Sequence, residues 1–407
     1  MLTRDKAAQL DAEDALAHAR ARFRLPADVI YLDGNSLGAM PQAVPARMTR
    51  AIEDEWAVGL IRSWNDADWY LAPQRVGARI ASMVGAQGDE VIVADSISVN
   101  LFKVLVAALR MRPDRRRILG ETGNFPTDSY IASGVASLVN AEFVAVPSSD
   151  VLASIDERVA IVSLTHVNYK TGRIHDMAAI TQRAHAVGAL VVWDLAHTAG
   201  AMPCALNACE ADFAVGCGYK YLSGGPGAPA FVFVARQHHA AVRQPLHGWH
   251  GHAQPFAFVE DYEPGAGMNR MLVGTAPQLS LIALEAALTA FDGIDMQTLR
   301  RKSVALTELF IELVDQELEG FALASPRDAA QRGSQVSLTH PDGYAIMQAL
   351  IARGVIGDYR APDILRFGFA PLYVGFDDVW NAVAALKDIM ATRAWDTPEF
   401  LRRKAVT

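Results

Sequence analysis

The sequence predicts an α/β protein in which a large, mostly parallel sheet is covered by helices on both faces and is followed by a smaller α+β domain. Short, continuously apolar runs, such as residues 91–95, 158–167 and 189–194, alternate with stretches of helical length and helical apolar spacing. Apolar runs of this length are typical of strands buried on both faces, and helical connections between them favour parallel pairing. After about residue 290 the alternation gives way to a long charged helix and shorter strands.

The individual elements follow from the apolar runs and from the polar residues that bound them. In the large domain the predicted strands are 91–95, 116–121, 140–147, 158–167, 189–194, 212–220 and 229–235, and the predicted helices are 98–111, 127–139 and 176–188. In the smaller domain the predicted helices are 297–319, 343–353 and 376–393, and the predicted strands are 334–340 and 363–371.

We expect three regions along the chain. An N-terminal segment over 1–45, with a helix at about 5–24, should pack against the small domain. The large domain should cover 46–290, and the small C-terminal domain should cover 291–407. No internal repeat interrupts this division.

Composition excludes several classes of protein. The chain has 407 residues, 51% hydrophobic and 20% charged, which is enough apolar material for a large core and argues against long disorder. A net charge of −8 argues against general affinity for nucleic acid or anionic membranes, and we expect neither partner. The sequence predicts neither a signal peptide nor a membrane span, and its three cysteines do not suggest a disulfide framework or a metal site. A reducing cytoplasm is the expected location.

The first candidate functional residues are Asp194 and Lys220. Asp194 ends a buried apolar strand, where open parallel sheets bind ligands, and a carboxylate there needs a cation or hydrogen bonds. The protonated pyridine nitrogen of pyridoxal 5′-phosphate (PLP) supplies both, and Lys220, just after the next strand, could form an imine with its aldehyde. The alternatives are an Asp that caps the following helix and a lysine in a surface turn.

Three further residues are candidates for holding the rest of such a cofactor. Ser98, at the start of a predicted helix, would offer a hydroxyl and free N–H groups to a phosphate, or would be a plain N-cap. Phe125 would stack on a ring or would be a core aromatic. Asp128 would be a second carboxylate near the pyridine, or would cap the helix that follows it.

Six stretches together resemble the kynureninase family. They are YLDGNSLGAMP (31–41), GNFPTDSY (123–130), VVWDLAHTAGAMP (191–203), CGYKYLSGGPG (217–227), GWHGH (248–252) and VGTAP (273–277). The resemblance runs over roughly residues 25 to 375, and the first stretch, with WDLAH and YKYL, is highly specific in combination. It implies the aspartate aminotransferase-like fold of PLP-dependent transferases (fold type I), a homodimer with shared active sites, and hydrolysis of L-kynurenine to anthranilate and L-alanine in tryptophan degradation.

The resemblance also implies a role for each matching residue. Lys220 would hold PLP covalently and act as a catalytic base, and Tyr219 would relay protons to the departing carbon. The cofactor would be bound by Ile97, Ser98, Phe125, Asp128, Thr165, Asp194, His197, Tyr219, Lys220 and Trp249, with Thr275 reaching in from the partner subunit. The substrate would meet Trp64, Gly274 and Thr275, and Arg366 would take its α-carboxylate.

Rival functions on the same fold remain open at this point. A cysteine desulfurase or selenocysteine lyase needs a nucleophilic cysteine in the second half of the chain, but no cysteine follows Cys217. An aminotransferase would use the same lysine and aspartate. A binding module without catalysis would not need Lys220, Asp194 and Arg366 together.

Substrate choice can be predicted from two positions of the resemblance. Kynureninases that favour the 3-hydroxylated substrate place a histidine and an asparagine near the aryl ring, where this chain has Trp64 and Thr275. A site without a partner for the ring hydroxyl must desolvate it at a cost of roughly 1–3 kcal/mol. We therefore expect L-kynurenine to be preferred over 3-hydroxy-L-kynurenine. The alternative is that Trp64 is a core aromatic.

Overall fold

The computed structural model describes residues 3–403, which form thirteen α-helices and fifteen strands. The helices are α1 (Arg4–Ala12), α2 (Ala43–Arg50), α3 (Ser63–Asp66), α4 (Ala72–Met83), α5 (Ile97–Arg110), α6 (Pro126–Leu138), α7 (Val151–Ser154), α8 (Met177–Ala186), α9 (Gln278–Leu288), α10 (Met296–Glu317), α11 (Gly343–Ala352), α12 (Phe376–Thr392) and α13 (Pro398–Leu401). The strands are β1 (Phe23–Arg24), β2 (Ile30–Tyr31), β3 (Met40–Pro41), β4 (Val91–Val93), β5 (Arg117–Glu121), β6 (Glu142–Val146), β7 (Val159–Thr165), β8 (Leu190–Asp194), β9 (Phe213–Cys217), β10 (Ala230–Val234), β11 (Ala322–Leu323), β12 (Gln335–Thr339), β13 (Val355–Ile356), β14 (Asp358–Arg360) and β15 (Ile364–Gly368).

The large sheet has seven strands in the order β4-β10-β9-β8-β7-β5-β6. Strands β9, β8, β7, β5 and β6 are parallel neighbours, whereas β10 is antiparallel to both β9 and β4. Every residue of β7, β8, β9 and β10 is buried, which is the burial expected of continuous apolar strands covered on both faces. The predicted α/β fold with a mostly parallel sheet is confirmed.

This topology brings several chain segments to one edge of the sheet. Strands β7, β8 and β9 are parallel, so their carboxyl ends, at Thr165, Asp194 and Cys217, meet at the same edge. Ligands bind at this edge in open α/β sheets. Helices α5 and α6, which follow β4 and β5, present their N-termini in the same region of the molecule.

A second sheet lies in the C-terminal part of the chain. Its order is β11-β12-β15-β14, all antiparallel; helices α10 and α11 pack on it, and α12 packs against these two helices. The N-terminal segment joins this part, since β2 pairs with β13 and the Asp11 carboxylate accepts hydrogen bonds from the backbone N–H groups of Phe376 and Asp377 at the start of α12. These contacts are those expected of residues 1–45; the boundaries at 45 and 290 remain a prediction.

Two predicted helix boundaries were wrong. The N-terminal helix ends at Ala12 rather than near residue 24, and a 3-10 turn follows over Ala17–Arg22. The Asp14 side chain accepts a hydrogen bond from the Leu16 N–H and pairs with the buried Lys302, which diverts the chain. Helix α5 begins at Ile97, with Ser96 as its N-cap, instead of at Ser98.

Within residues 3–403, no helix combines the length and the apolar character needed to cross a membrane. All three cysteines are free thiols. No group of three His, Cys, Asp or Glu side chains in the described part of the chain is arranged to hold a metal ion.

Candidate active site

A cavity of about 180 Å³ opens at the carboxyl edge of the large sheet. It lies where β7, β8 and β9 end and where α5 and α6 begin. Its lining consists of Ser96, Ile97, Ser98, Phe125, Thr127, Asp128, Thr165, Tyr169, Asp194, Ala196, His197, Cys217, Tyr219, Lys220, Ala228 and Ala230. Nine of the residues that the sequence singled out are therefore brought together: Ile97, Ser98, Phe125, Asp128, Thr165, Asp194, His197, Tyr219 and Lys220.

Lys220 occupies the turn after β9, and its Nζ lies 2.9 Å from Nε2 of His197. Burial, together with the nearby Lys220 and other cations, holds the pKa of His197 well below its usual range, so the imidazole is neutral. Its Nε2 can then accept a hydrogen bond from the lysine. Lys220 Nζ also lies 5.9 Å from the centroid of the Phe125 ring.

The main chain of Lys220 is fixed by the segment YLDGNSLG. The N–H of Gly38 donates to the carbonyl of Tyr219 at 2.8 Å. A Cβ at position 38 would lie 2.2 Å from the carbonyl oxygen of Lys220. Only glycine allows the two main chains to come this close. The contact explains why YLDGNSLG, far upstream in the sequence, belongs to the same site as Lys220.

Asp194 and Asp128 form a buried carboxyl pair at the bottom of the cavity. Burial raises the pKa of both, and the charge of Asp194 adds to the rise at Asp128, which lies well above its usual range. Lys220 and the backbone N–H of Ala196, which donates to Asp194 Oδ1 at 2.7 Å, favour the ionised form of Asp194. The surroundings therefore favour the neutral form more strongly at Asp128 than at Asp194, where Lys220 and the Ala196 N–H favour the charged form.

Asp128 is neither a solvated residue nor an N-cap, because it lies in the first turn of α6, whose cap is Phe125. Its Oδ2 accepts from Asn124 Nδ2 at 3.2 Å and lies 3.0 Å from Thr165 Oγ1. Thr165 Oγ1 is also 2.5 Å from Asn124 Oδ1. Sequence analysis missed Asn124, although its place beside Phe125 in GNFPTD could have indicated it.

The N-terminus of α5 faces the cavity with Ser96, Ile97 and Ser98. Ser96 was missed because SISVN offers two serines, of which Ser96 is the N-cap that accepts from the Val99 N–H. The fully buried Lys103 supports this end of the helix, since its Nζ donates to Asp95 Oδ2 at 2.7 Å and to the Met271 carbonyl at 2.6 Å. A helix N-terminus with two hydroxyls is a site for an anion.

Tyr219 and Cys217 complete the wall beside Lys220. Burial raises the pKa of both side chains, so both remain protonated. A protonated phenol can donate a proton, whereas a buried protonated thiol is a poor nucleophile. Opposite them, Tyr169 meets Phe125 edge to face, with ring centroids 5.3 Å apart and planes at 85°. Sequence analysis did not identify Tyr169.

Arg366 lies behind Tyr169, on β15 of the small sheet. Its guanidinium carbon is 5.9 Å from the centroid of the Tyr169 ring, and its Nη1 donates to the Tyr169 carbonyl at 2.7 Å. The side chain is 2% exposed and is paired with Asp358. It thus stands next to the cavity without lining it.

Besides Arg366, four predicted residues lie outside the cavity that this chain forms. Trp249 is 38% exposed and stacks on His250, and Gly274 and Thr275 are exposed on the loop before α9. Trp64 packs edge to face against Trp69 with the centroids 6.1 Å apart, within a small apolar cluster. None of the four contributes to the lining of the described cavity.

The cavity fits PLP in its donor set. Among residues 3–403, two buried polar atoms at its wall have no hydrogen-bond partner, Asp128 Oδ1 and His197 Nδ1. A carboxylate, a lysine amine and an anion-binding helix end surround the same space, as a pyridinium, an aldehyde and a phosphate require.

Solved structures share this fold. A cysteine desulfurase from Thermococcus onnurineus is 18% identical, has a TM-score of 0.77 and covers 92% of this chain and 98% of its own. A lyase variant with glycine linked to its PLP cofactor is also 18% identical, with a TM-score of 0.78 over 91% of this chain and 99% of its own. The fold and the site define the class of PLP-dependent enzymes of fold type I.

Comparison with related sequences identifies the family within this class of enzymes. A model of the kynureninase C-terminal domain matches residues 299–386. Kynureninases of Burkholderia mallei (strain SAVP1) and Pseudomonas fluorescens are each 52% identical to it over 416 aligned residues, covering 100% of this chain and 100% of the relative. The chain belongs to the kynureninase family.

Proposed function

We propose that this chain is a PLP-dependent hydrolase that cleaves L-kynurenine to anthranilate and L-alanine in tryptophan degradation. The observation that carries the proposal is identity of 52% over the whole length with kynureninases. The cavity around Lys220 supports it with residues suited to each part of the reaction.

PLP would be held by groups already in place. Asp194 would face the pyridine nitrogen with His197 nearby, Phe125 would cover the ring, and the N-terminus of α5 would take the phosphate. Thr165 and Asp128 would support the ring from below, and Tyr219 would border the phosphate. When bound, the cofactor withdraws electrons from the carbon atoms next to the substrate's amino group.

Lys220 moves the first proton. Its Nζ is fixed at 2.9 Å from His197 Nε2, so the amine is held at the cavity wall between Phe125 and the end of β8. The neutral His197 accepts a hydrogen bond without competing for a proton. Lys220 therefore takes the proton from Cα of the bound substrate and returns it in the product.

Hydrolysis breaks the Cβ–Cγ bond. Water adds its hydroxyl to the carbonyl carbon Cγ, which leaves as the carboxyl carbon of anthranilate, and the electron pair of the broken bond remains on Cβ. Tyr219, protonated because burial raises its pKa, would donate a proton to Cβ to give the methyl group of L-alanine, and the proton that the added water releases at Cγ would restore the phenol. Arg366 fixes the α-carboxylate so that the Cα–H bond points at Lys220.

The rival activities have less support. A desulfurase would need a reactive thiol, but the one cysteine of the cavity lining, Cys217, is a protonated thiol buried in β9. The desulfurases that share the fold are only 18–20% identical to this chain in sequence, and a similarity at this level shows a common fold but not a common activity.

The same proposal includes a homodimer in the cytoplasm. Support for shared sites comes from Trp249, Gly274 and Thr275, which the resemblance assigns to a site but which are exposed in the single chain. Exposed apolar side chains on the N-terminal half offer a surface for a second copy; they include Ile52, Trp56, Val58, Leu60 and Ile61. Three free cysteines suit a reducing compartment.

The direct test is incubation of the purified chain with PLP and L-kynurenine, followed by anthranilate fluorescence. L-Cysteine with sulfide detection, and L-kynurenine with a 2-oxo acid acceptor, serve as controls for the rival activities. Release of anthranilate with stoichiometric L-alanine supports the proposal. Sulfide release or amino-group transfer without anthranilate would replace it with one of the rivals.

A further inference from the structure

The guanidinium of Arg366 is held by a carboxylate on the neighbouring strand. Asp358 on β14 is the register partner of Arg366 on β15. Arg366 Nε donates to Asp358 Oδ1 at 2.6 Å, and Nη2 donates to Oδ2 of the same carboxylate. Both side chains are buried, at 2% and 4% side-chain exposure.

Two further groups fix this carboxylate. The Ser36 hydroxyl donates to Asp358 Oδ2 at 2.9 Å and accepts from Arg366 Nη2 at 3.1 Å, so it bridges the pair. On the other side, Arg360 Nη2 lies 2.7 Å from Asp358 Oδ2. Asp358 therefore has hydrogen-bonding or ionic partners on three elements: β14, β15 and the loop after β2.

The contacts leave Arg366 little freedom. A guanidinium has five N–H donors. In Arg366, Nε and one Nη2 donor face Asp358, a second Nη2 donor faces Ser36, and Nη1 donates to the Tyr169 carbonyl at 2.7 Å. One Nη1 donor remains without a partner among the described residues, and one Nη2 donor faces the Ser36 hydroxyl at 3.1 Å. A carboxylate that displaces this hydroxyl gains two donors with their orientation already fixed.

We propose that Asp358 is a positioning residue for substrate binding: it holds the Arg366 guanidinium by its Nε–Nη2 side and leaves the Nη1–Nη2 side for the α-carboxylate of the amino acid. The inference rests on the proposed function in that it assigns the α-carboxylate to Arg366. Arg360 and Arg366 together carry two positive charges against the one negative charge of Asp358, so these three side chains have a net positive charge. Fixing the guanidinium beforehand reduces the entropy lost when the carboxylate binds.

The test compares two ligands on the PLP-loaded protein. L-Alanine and L-alaninamide, which lacks the carboxylate, are titrated while the visible absorption of the bound cofactor is recorded. In Asp358→Asn we expect the dissociation constant of L-alanine to rise about tenfold or more, and that of L-alaninamide to change less than about threefold. If the substitution disrupted the site in general, the dissociation constants of both ligands would rise equally, and that result would overturn the proposal.

The matched control is Asp315→Asn. Asp315 holds Arg327 by two hydrogen bonds, of 2.6 and 2.9 Å, but on an exposed surface, and its loss should leave both ligands unaffected. If Asp358→Asn does not fold, the same titrations are made with Asp358→Glu and Ser36→Ala. Glu is longer by one methylene and should weaken L-alanine selectively; Ser36→Ala keeps the ion pair and should change the affinity ratio by less than about threefold.

The kynurenine assay separates this inference from the proposed function. A selective loss of L-alanine affinity in Asp358→Asn, with no anthranilate release by the wild-type chain, would reject the function and keep the role of Asp358. Anthranilate release with kcat unchanged and KM raised in Asp358→Asn would support both. An affinity ratio equal to that of the wild type in Asp358→Asn or Asp358→Glu would reject the positioning role alone.

Discussion

Lys220 Nζ and His197 Nε2 lie 2.9 Å apart at the wall of the cavity, on turns that follow two adjacent parallel strands. The pair exists because β8 and β9 end at the same edge of the sheet and because the imidazole is buried and neutral. This contact fixes the position of the lysine amine through a neutral imidazole instead of through an ion pair with a carboxylate.

Lys220→Ala should abolish covalent cofactor attachment and nearly all turnover. In the proposed mechanism the amine both binds the aldehyde and moves the Cα proton, so we expect no second residue to replace it. The measurement is the visible absorption of lysine-bound PLP, together with anthranilate release. Lys387→Ala removes a surface lysine paired with Glu317 and should behave as wild type. Turnover by Lys220→Ala near the wild-type rate would contradict the assignment.

Asp194→Asn and Asp128→Asn should differ in their effect on PLP affinity. Asp194 would give a charge-assisted hydrogen bond worth roughly 1.5–3 kcal/mol, so Asp194→Asn should raise the PLP dissociation constant about tenfold to a hundredfold and slow Cα deprotonation. Burial and the charge of Asp194 raise the pKa of Asp128 well above its usual range and so favour its neutral form, and an amide there should cost much less. Equal losses in the two variants would show that the charge is not confined to Asp194.

Affinity for L-alanine should fall as pH rises through about 7. Burial and the neighbouring Asp358 raise the pKa of Asp33 to about 7. Below that pH Asp33 is mostly neutral, and Arg366 and Arg360 face one carboxylate; above it, a second negative charge opposes the incoming carboxylate. Tyr31 adds no charge, since burial raises its pKa further.

The pH prediction is checked by measuring the dissociation constant of L-alanine from pH 6 to 8.5, with L-alaninamide as the uncharged comparison. In Asp33→Asn the decline near pH 7 should be absent, while the affinity at pH 6 stays close to wild type. A decline that persists unchanged in Asp33→Asn would assign it to another group.

Gly274→Trp should inactivate the proposed homodimer, and mixing it with Lys220→Ala should restore activity. Beyond the chain neighbours of Gly274, no heavy atom of the described residues lies within 4 Å of a Cβ built there, so the first atom of a side chain meets no clash within the single chain. If the loop enters the partner's site, the indole blocks that site. A mixed dimer has one site with both Lys220 and Gly274, so an equal mixture should regain about a quarter of wild-type activity.

The control for the mixing experiment is each variant alone under the same unfolding and reassembly steps, which should remain inactive. A Gly274→Trp protein with wild-type kcat/KM would exclude the shared site. A fully active monomer at high dilution would exclude it as well.

L-Kynurenine should be preferred over 3-hydroxy-L-kynurenine by about tenfold in kcat/KM. We expect the preference because the indole of Trp64 would give mainly an apolar wall and Thr275 has less polar reach than asparagine, so desolvating the ring hydroxyl would cost roughly 1–3 kcal/mol. In the single chain Trp64 packs on Trp69, so its effect on the ring would depend on the assembled dimer. Both substrates are compared on one preparation; equal values, or a preference for the hydroxylated substrate, would remove Trp64 and Thr275 from the specificity argument.

The sequence by itself determined the sheet, most of its helices and the chemical identity of the site. Continuous apolar runs such as Val159–Thr165 and Leu190–Asp194 are long enough to be buried only as central strands, and a carboxylate or a lysine directly after such a strand must lie at the ligand-binding edge. These patterns are local, because the spacing of apolar residues over a few consecutive positions indicates both the type of element and its burial. The prediction of a helix to about residue 24 failed where the contact of Asp14 with Lys302, distant in sequence, redirected the chain.

Only the tertiary structure decided which distant groups act on each other. The fit of Gly38 against Lys220, the raised pKa of Asp128 beside Asp194 and the hold of Asp358 on Arg366 each join residues from different elements. No spacing within a single element predicts them, because the partners meet only when the strands, helices and loops that carry them assemble. The energy of a buried charge is set by those neighbours and by its distance from water, which exist only once the chain has folded.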